Sequence, residues 1–234
     1  MRTKRRESDK FRRHVSAGTL ADKTVYWSGV TDPYAAPPWL TKSIWQVLSE
    51  APAQLRPRRL VVQSRFPVRR DADLIADYCH STKSSDDGPP VVISASIGTD
   101  RRDILRAWDR ATPSFEQRMR NVQSLCEAGV FVVVTLSPFG PWHDLTGTLR
   151  QLRNWGVPYV TLIFFNQEQH CVSTPSGFLK YLREQWPELL DSVWQAERLR
   201  EIEQVYGPGR VLQEQAGFAS LIAPQRVLAA DNLP

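Results

Sequence analysis

The sequence has few cysteines and no long apolar run among its 234 residues. Cys79, Cys126 and Cys171 lie far apart, so neither a disulfide framework nor a metal site of closely spaced thiolates is expected. A reducing compartment fits this cysteine usage. No apolar run approaches the roughly 18 residues of a membrane span, and none follows the basic N-terminus as a secretory signal requires. We therefore expect a cytoplasmic protein that does not enter a membrane.

Several motifs that define large enzyme classes are also absent. The sequence contains neither GxGxxG nor GxxxxGK[ST], so the classical dinucleotide-binding and P-loop folds lack support. It has no GxSxG nucleophile motif. The four histidines are scattered and form neither HExxH nor a clear zinc set, so no metal ligands are predicted. Polar loop residues follow several strands, but no catalytic role can be assigned to any of them.

Positive charge is concentrated near the N-terminus. The net charge is +5, and much of it comes from "RTKRR", "FRRH" and, further along, "RPRR" at 56–59. A basic arm of this kind can bind the phosphates of a nucleic acid. A solvated leader explains the same composition. Both interpretations stay open, and 1–23 is expected to be a basic leader that is either loosely ordered or helical.

Five short apolar runs rich in β-branched and aromatic residues predict strands buried on both faces. They span 24–30, 59–65, 91–97, 130–137 and 159–165. Their starts lie roughly 30–40 residues apart, the length of a βα repeat. Such units in series predict an α/β fold with a parallel sheet, either an open doubly wound sheet or a full or partial barrel.

Helix signals fill the intervals between these runs. "WLTKSIWQVLSEA" has Thr41 as a plausible N-cap, and the helix that opens on Ser114 is expected to close on Gly129. After 165 the pattern becomes helical, with a break before Pro187. We therefore expect a partial barrel over 24–165 and a C-terminal helical extension over 166–234.

The predicted strands end in polar or turn-forming residues, whereas their bodies are apolar. The ends read Thr31-Asp32-Pro33-Tyr34, Gln63-Ser64-Arg65, Ser94-Ala95-Ser96, Ser137-Pro138-Phe139 and Phe165-Asn166-Gln167. Ligands of parallel α/β folds bind at the carboxyl ends of the strands. This contrast predicts a binding site there.

Four stretches carry a resemblance to a known family. They are "VTDPYAAPPWLTKSIWQVL", "RRLVVQSRFPVRRDADLI", "VVISASIGTD" and "WDRATPSFEQRMRNVQSLCEAGVFVVVTLSPFGP". In this order and spacing they resemble the second strand and later landmarks of the radical SAM proteins related to spore photoproduct lyase. The resemblance covers residues 24 to about 165.

The resemblance implies a partial (β/α)6 barrel that binds S-adenosylmethionine at the carboxyl ends of its strands. Nine positions would contact this cofactor. They are Thr31, Asp32 and Tyr34 beside the methionyl amino end, Ser94 and Ser96 toward the ribose, Arg118 at the carboxylate, and Leu136, Ser137 and Phe164 near the adenine.

Simple charge chemistry agrees with two of these positions. A zwitterionic amino acid end needs an acceptor on one side and a cation on the other, so Asp32 and Arg118 are a plausible pair. Plainer alternatives remain open. Asp32 can simply start a turn, Arg118 can be a solvated helix residue, and Ser96 can cap a loop.

The sequence also departs from the family. The family's CxxxCxxC loop, whose thiolates hold a [4Fe–4S] cluster, has no counterpart here, and 1–23 resembles only the helix that follows that loop. The first strand is missing with it, Asp109 replaces a glutamate, and Pro38 replaces an acidic residue. The three cysteines are expected to be structural.

These departures make radical chemistry unexpected from this chain alone. The cluster would have to come from missing upstream residues or from a partner. We expect a degenerate or N-terminally shortened radical SAM-like protein that binds S-adenosylmethionine or a related nucleoside. The alternative is a non-catalytic partner, or a nucleic-acid-binding protein, built on the same barrel.

Without a preceding strand, 24–30 would form a sheet edge, and long apolar edges invite pairing. We expect the leader, the segment "RVLQEQA" or a second subunit in a homo- or hetero-oligomer to cover it.

Overall fold

The computed structural model describes residues 2–27, 32–82, 88–108, 110–165 and 176–213. Within these ranges the strands are β1 (Thr24–Trp27), β2 (Arg59–Ser64), β3 (Val91–Ser96), β4 (Val132–Leu136), β5 (Val160–Leu162) and β6 (Val211–Gln213). They form one sheet in the order β1-β2-β3-β4-β5-β6, and every neighbouring pair is parallel. The predicted parallel α/β fold is confirmed.

Helices alternate with the strands. The α-helices are α1 (Arg2–Ser16), α2 (Pro38–Glu50), α3 (Ala72–Ser81), α4 (Arg102–Trp108), α5 (Phe115–Glu127), α6 (Leu145–Asn154), α7 (Ser176–Gln185) and α8 (Ser192–Tyr206). Shorter 3₁₀ turns span Pro33–Ala35, Ala53–Leu55, Val68–Asp71 and Pro187–Leu190. Within the described ranges, no helix has the length and apolar character that crossing a membrane requires.

The two faces of the sheet bury different sets of side chains. One face, with Leu60 and Ile93, packs in the main core with residues of the helices. The opposite face carries a smaller apolar cluster around Val61, Val92 and Val133. Each buried valine or leucine contributes about 1.5–3 kcal/mol. Burial on both faces explains why the strands are continuous apolar runs.

Local sequence signals predicted both ends of α5 correctly but not the start of α2. Ser114 caps α5 in a capping box with Gln117, and Gly129 follows that helix with φ of 72°, so both predicted ends are confirmed. The prediction of Thr41 as an N-cap is wrong. α2 begins at Pro38, and Thr41 is buried inside it with its hydroxyl donating to the Pro38 carbonyl at 3.1 Å. Proline is preorganised for the first helical turn, so the helix starts earlier than threonine alone suggested.

The C-terminal segment is helical and also extends the sheet. The break before Pro187 is confirmed, since α7 ends at Gln185. α8 packs against α6, and β6 pairs with β5. The expectation that "RVLQEQA" covers the β1 edge is therefore wrong for its strand residues. Val211 aligns with Val160 at the opposite end of the sheet, because β5 pairs with β6 on the side away from β4.

The leader forms a helix that packs on the neighbouring helix. Val15 of α1 is buried, and the Arg12 guanidinium lies 3.1 Å from the Glu50 carboxylate of α2. In the part of the chain that the structure describes, β1 pairs with β2 and with no other strand. Tyr26 of β1 is 42% exposed. Coverage of this edge by a second subunit stays a prediction.

Candidate functional site

A cavity of about 290 Å³ lies at the carboxyl ends of four neighbouring strands. Parallel sheets present their loops and ligand sites at this end. Its walls come from residues that follow β2, β3, β4 and β5 and from three helices: Arg65, Gly98, Thr99, Leu105, Trp108, Arg118, Ser137, Pro138, Ile163, Phe164, Phe165 and Phe178. Three of the nine predicted cofactor positions, Arg118, Ser137 and Phe164, are among them.

A close approach of two loops shapes the floor of this cavity. The backbone at Gly98 lies so near the Pro138 carbonyl that a Cβ at Gly98 would fall well inside van der Waals contact. The Gly98 carbonyl accepts a hydrogen bond from the Gly140 backbone at 2.8 Å, and the Ser137–Pro138 peptide is cis. Only glycine fits such an approach, so Gly98 fixes the spacing of the two loops.

Arg118 is buried and points into this region from the first turn of α5. It is only 5% exposed, so the alternative of a solvated helix residue is wrong. Its Nε donates to the Pro113 carbonyl at 3.0 Å, and its Nη1 and Nη2 donate to the Ser96 carbonyl and the Thr112 hydroxyl at 3.2 and 2.5 Å. These bonds hold the planar guanidinium in one orientation at the cavity wall.

Ser96 does not line the cavity, but it forms hydrogen bonds with two residues that do. Its hydroxyl donates to the Ser137 carbonyl at 3.0 Å, and its carbonyl accepts from Arg118. The residue is 5% exposed. Its predicted contact with a ribose remains a prediction.

Aromatic rings form another part of the cavity wall. Trp108 meets Phe165 and Phe178 edge to face, with ring centroids 5.4 and 5.6 Å apart. Phe164 packs against Phe139 at 5.5 Å. The indole N–H of Trp108 is buried and has no hydrogen-bond partner among the described residues. Sequence reasoning did not predict Trp108 or Phe178, because α4 was not predicted and α7 was placed only in a general helical region.

Asp32, the predicted acceptor for an amino group, already accepts hydrogen bonds from two backbone N–H groups and one hydroxyl. Its carboxylate accepts from the Tyr34 N–H at 2.9 Å, from the Ser64 hydroxyl at 2.7 Å and from the Arg65 N–H at 2.7 Å. It starts the 3₁₀ turn as an Asx-type cap, as the turn-starting alternative foresaw. It also joins the segment after β1 to the segment after β2. Thr31 lies outside the described residues.

Three predicted positions have side chains in the core. Tyr34 is 1% exposed, and its hydroxyl accepts from the Trp45 indole at 2.9 Å. Burial, above all, raises its pKa, so the phenol stays protonated. Ser94 is buried and shares a 2.6 Å hydrogen bond with the Thr135 hydroxyl. Leu136 is buried in the main core on the helix side of β4. In this arrangement none of these three side chains lines the cavity.

The two described cysteines do not fit an iron–sulfur cluster. Cys79 lies on α3 and Cys126 on α5, and burial raises the pKa of each thiol to about 11. Cluster ligands must be thiolates grouped around one centre. Within the described ranges, no three His, Cys, Asp or Glu side chains are grouped as metal ligands. Cys171 lies outside those ranges.

The fold is similar to that of spore photoproduct lyase. A double mutant of that enzyme with bound AdoMet and dinucleoside spore photoproduct matches with a TM-score of 0.51 and 13% identity, over 87% of this chain and 64% of the lyase chain. A single mutant matches with a TM-score of 0.53 and 11% identity, over 88% and 64% of the two chains. The match therefore spans less than two thirds of the lyase length. No protein-family model matches the sequence, and a search of curated proteins finds no similar sequence.

Proposed function

We propose that the protein binds S-adenosylmethionine, or a related nucleoside, in the cavity at the carboxyl ends of its strands, without an iron–sulfur cluster of its own. The supporting observation is the convergence of Arg118, Ser137 and Phe164 on one cavity. The resemblance assigned these residues to the carboxylate and adenine regions of one cofactor. Spore photoproduct lyase, which has a similar fold, binds AdoMet in one solved structure.

The wall chemistry suits such a ligand. Small-molecule sites are mostly apolar, with a few polar groups that fix orientation. The ring of Phe164 offers a flat apolar surface for a base, and the guanidinium of Arg118 would place a positive charge at the cavity wall beside a carboxylate. In this proposal Asp32 positions the loop after β2, and Ser96 positions Arg118. A bound sulfonium would supply an electrophilic carbon, and no described residue is assigned to use it.

Replacement of Arg118 by glutamine is expected to weaken S-adenosylmethionine binding about 10-fold to 100-fold, because the variant cannot form a charge-assisted hydrogen bond to the carboxylate. Titration calorimetry measures the affinity directly. Arg120→Gln is the matched control, since Arg120 lies on the same helix but is exposed, and its affinity should equal that of the wild type.

Arg118 also holds the start of α5, so a second wall variant keeps the test independent of stability. Phe164→Leu should weaken binding while thermal unfolding confirms that both variants are folded. Absence of heat with the wild-type protein at high micromolar concentration, for both S-adenosylmethionine and adenosine, would overturn the proposed function. Anaerobic reconstitution with iron and sulfide should give no cluster absorbance with this chain alone.

Exposed basic residues on α1 favour nucleic-acid binding as a second candidate function. Lys10 and Arg13 point to solvent, while Val15 holds the helix on the protein. Lys10→Gln with Arg13→Gln is expected to weaken DNA binding and to reduce the salt slope of log K by roughly 1 for each phosphate that these side chains neutralise. Lys180→Gln, an exposed change on α7, is the control. An unchanged salt slope would exclude α1 as a binding arm.

A further inference from the structure

We propose that the C-terminal segment 214–234 docks on the face of the sheet that the helices leave uncovered, over its central valines. These are Val61 of β2, Val92 of β3 and Val133 of β4. The segment itself lies outside the described residues. The proposed docking is independent of the ligand that the cavity binds.

The central valines of this face are buried although they are not part of the main core. Val61 and Val133 have no exposed surface, and Val92 is 2% exposed. Among the described residues, the apolar neighbours of this cluster are Phe131, Tyr159 and Leu212. Each of these three lies in a strand or directly before one, so they belong to the sheet itself. An apolar sheet face needs a second layer to exclude water.

The described helices do not supply this layer. Apolar residues of α2, α3, α5, α6 and α8 pack in the main core on the opposite face of the sheet. The helix α7 packs in a separate cluster that contains Leu179 and Leu182. In the part of the chain that the structure describes, no helix contributes an apolar side chain to the cluster around Val92.

The missing layer must come from the same chain, because the valines are buried within a single chain and without a second subunit. The segments outside the described ranges are therefore the candidates. Apart from Met1 and Asp109 they read "SGVT" (28–31), "KSSDD" (83–87), "NQEQHCVSTP" (166–175) and "EQAGFASLIAPQRVLAADNLP" (214–234). Only 214–234 contains apolar runs, "FASLIA" and "VLAA". Its composition matches the buried face, whereas the other three segments are mostly polar.

The position of β6 brings this segment within reach. β6 lies at one end of the sheet, four strands from β2. Neighbouring strands lie about 4.8 Å apart, so β2 is roughly 19 Å away. An extended chain advances by about 3.3 Å per residue. The residues that follow Gln213 can therefore cross β5, β4, β3 and β2 before the apolar runs are used up.

The exposure of Tyr26 shows where the covering layer stops. Tyr26 of β1 aligns with Val61 of β2 and therefore points to the same face. It is nevertheless 42% exposed, whereas Val61 is fully buried. A layer that arrives from the β6 side meets β2 before β1, so this difference is expected of a segment that follows β6.

Photo-crosslinking of the full chain tests the docking. With p-benzoylphenylalanine in place of Phe218, or of Leu221 in a second protein, crosslinks should form to the strand peptides 59–64, 91–96 and 132–136. The same amino acid in place of Val193, which is 66% exposed on α8, is the control and should give none of them. Mass spectrometry of a mixture of isotope-labelled and unlabelled protein separates crosslinks within a chain from those between chains.

The other crosslinking results would overturn the proposal. Crosslinks from positions 218 and 221 to helices alone, or to none of the three strands, would place the segment elsewhere. Crosslinks between labelled and unlabelled chains would show that a second copy provides the layer, and docking within one chain would then be wrong.

Uncovering the face gives a second readout. Leu221→Asp with Ile222→Asp should raise the fluorescence of the dye ANS severalfold, because the dye binds exposed apolar surface. Gln225→Asp with Asn232→Asp adds the same charge at polar positions of the segment and should leave the fluorescence at the wild-type level. Circular dichroism confirms that both proteins are folded, and the crosslinks remain decisive if the first one is not. Equal fluorescence of the two folded variants would contradict the docking.

Discussion

Replacement of Trp45 by alanine is expected to lower the free energy of unfolding by about 3–5 kcal/mol, the cost of deleting a large buried aromatic side chain. Trp45 has no exposed surface, and its ring lies 5.9 Å from Trp27 and 6.0 Å from Tyr78. Its indole also donates to the Tyr34 hydroxyl at 2.9 Å. The substitution therefore leaves a cavity and removes the donor to a buried hydroxyl.

Urea unfolding measures this change, and the same helix offers a matched control. Trp39 of α2 is 40% exposed, so Trp39→Ala should change stability by about 0.5 kcal/mol or less. Trp45→Phe keeps most of the apolar volume but not the donor, and should cost about 1–3 kcal/mol. Equal decreases for Trp39→Ala and Trp45→Ala would contradict the packing of α2 with Trp45 inward.

The central strands could be predicted because burial on both faces leaves a local signature. Apolar, β-branched runs indicated β2, β3 and β4 to within a few residues. β6 was assigned only to a small closing element, since Val211–Gln213 is too short to show a pattern and depends on pairing with β5. α4 was missed for a similar reason. Its seven residues have little helical periodicity, and Trp108 is held by contacts with Phe165 and Phe178 from distant segments.

A motif match assigns residues to a site by their position in the sequence, but it does not decide which of their side chains face that site. Ser137 lines the cavity, whereas Leu136, one residue earlier, belongs to the helix side of the sheet. Side chains of a strand alternate between faces, so a motif match that is right in position can still contain residues of both faces. Strand parity was a usable signal for this separation. For Tyr34, by contrast, only the tertiary contact with Trp45 shows that its side chain is buried.

The sequence around Gly98 was the least informative about the candidate site. A substitution at Gly98 is nevertheless expected to have the largest effect on that site. Replacement by alanine should lower the free energy of unfolding by about 3 kcal/mol, near the upper range for overpacking. The new Cβ would overlap the Pro138 carbonyl. That loop cannot shift freely, because the Gly140 N–H donates to the Gly98 carbonyl at 2.8 Å and the Phe139 N–H donates to the Ile163 carbonyl at 2.9 Å.

Gly98→Ala should also disrupt nucleoside binding if the ligand occupies the cavity at these strand ends. Binding at a site elsewhere on the protein should not change. Relief of the overlap requires the segments after β3 and β4 to move apart. These segments contain Ser137 and directly follow the Arg118-bound Ser96 at the end of β3. Gly177→Ala is the control, since a Cβ at Gly177 in α7 meets open space and alanine favours helix. Unfolding in urea and calorimetric titration of both variants give the comparison. Wild-type stability and affinity in Gly98→Ala would show that these segments separate without cost, and the cavity geometry would then not be set by their close approach.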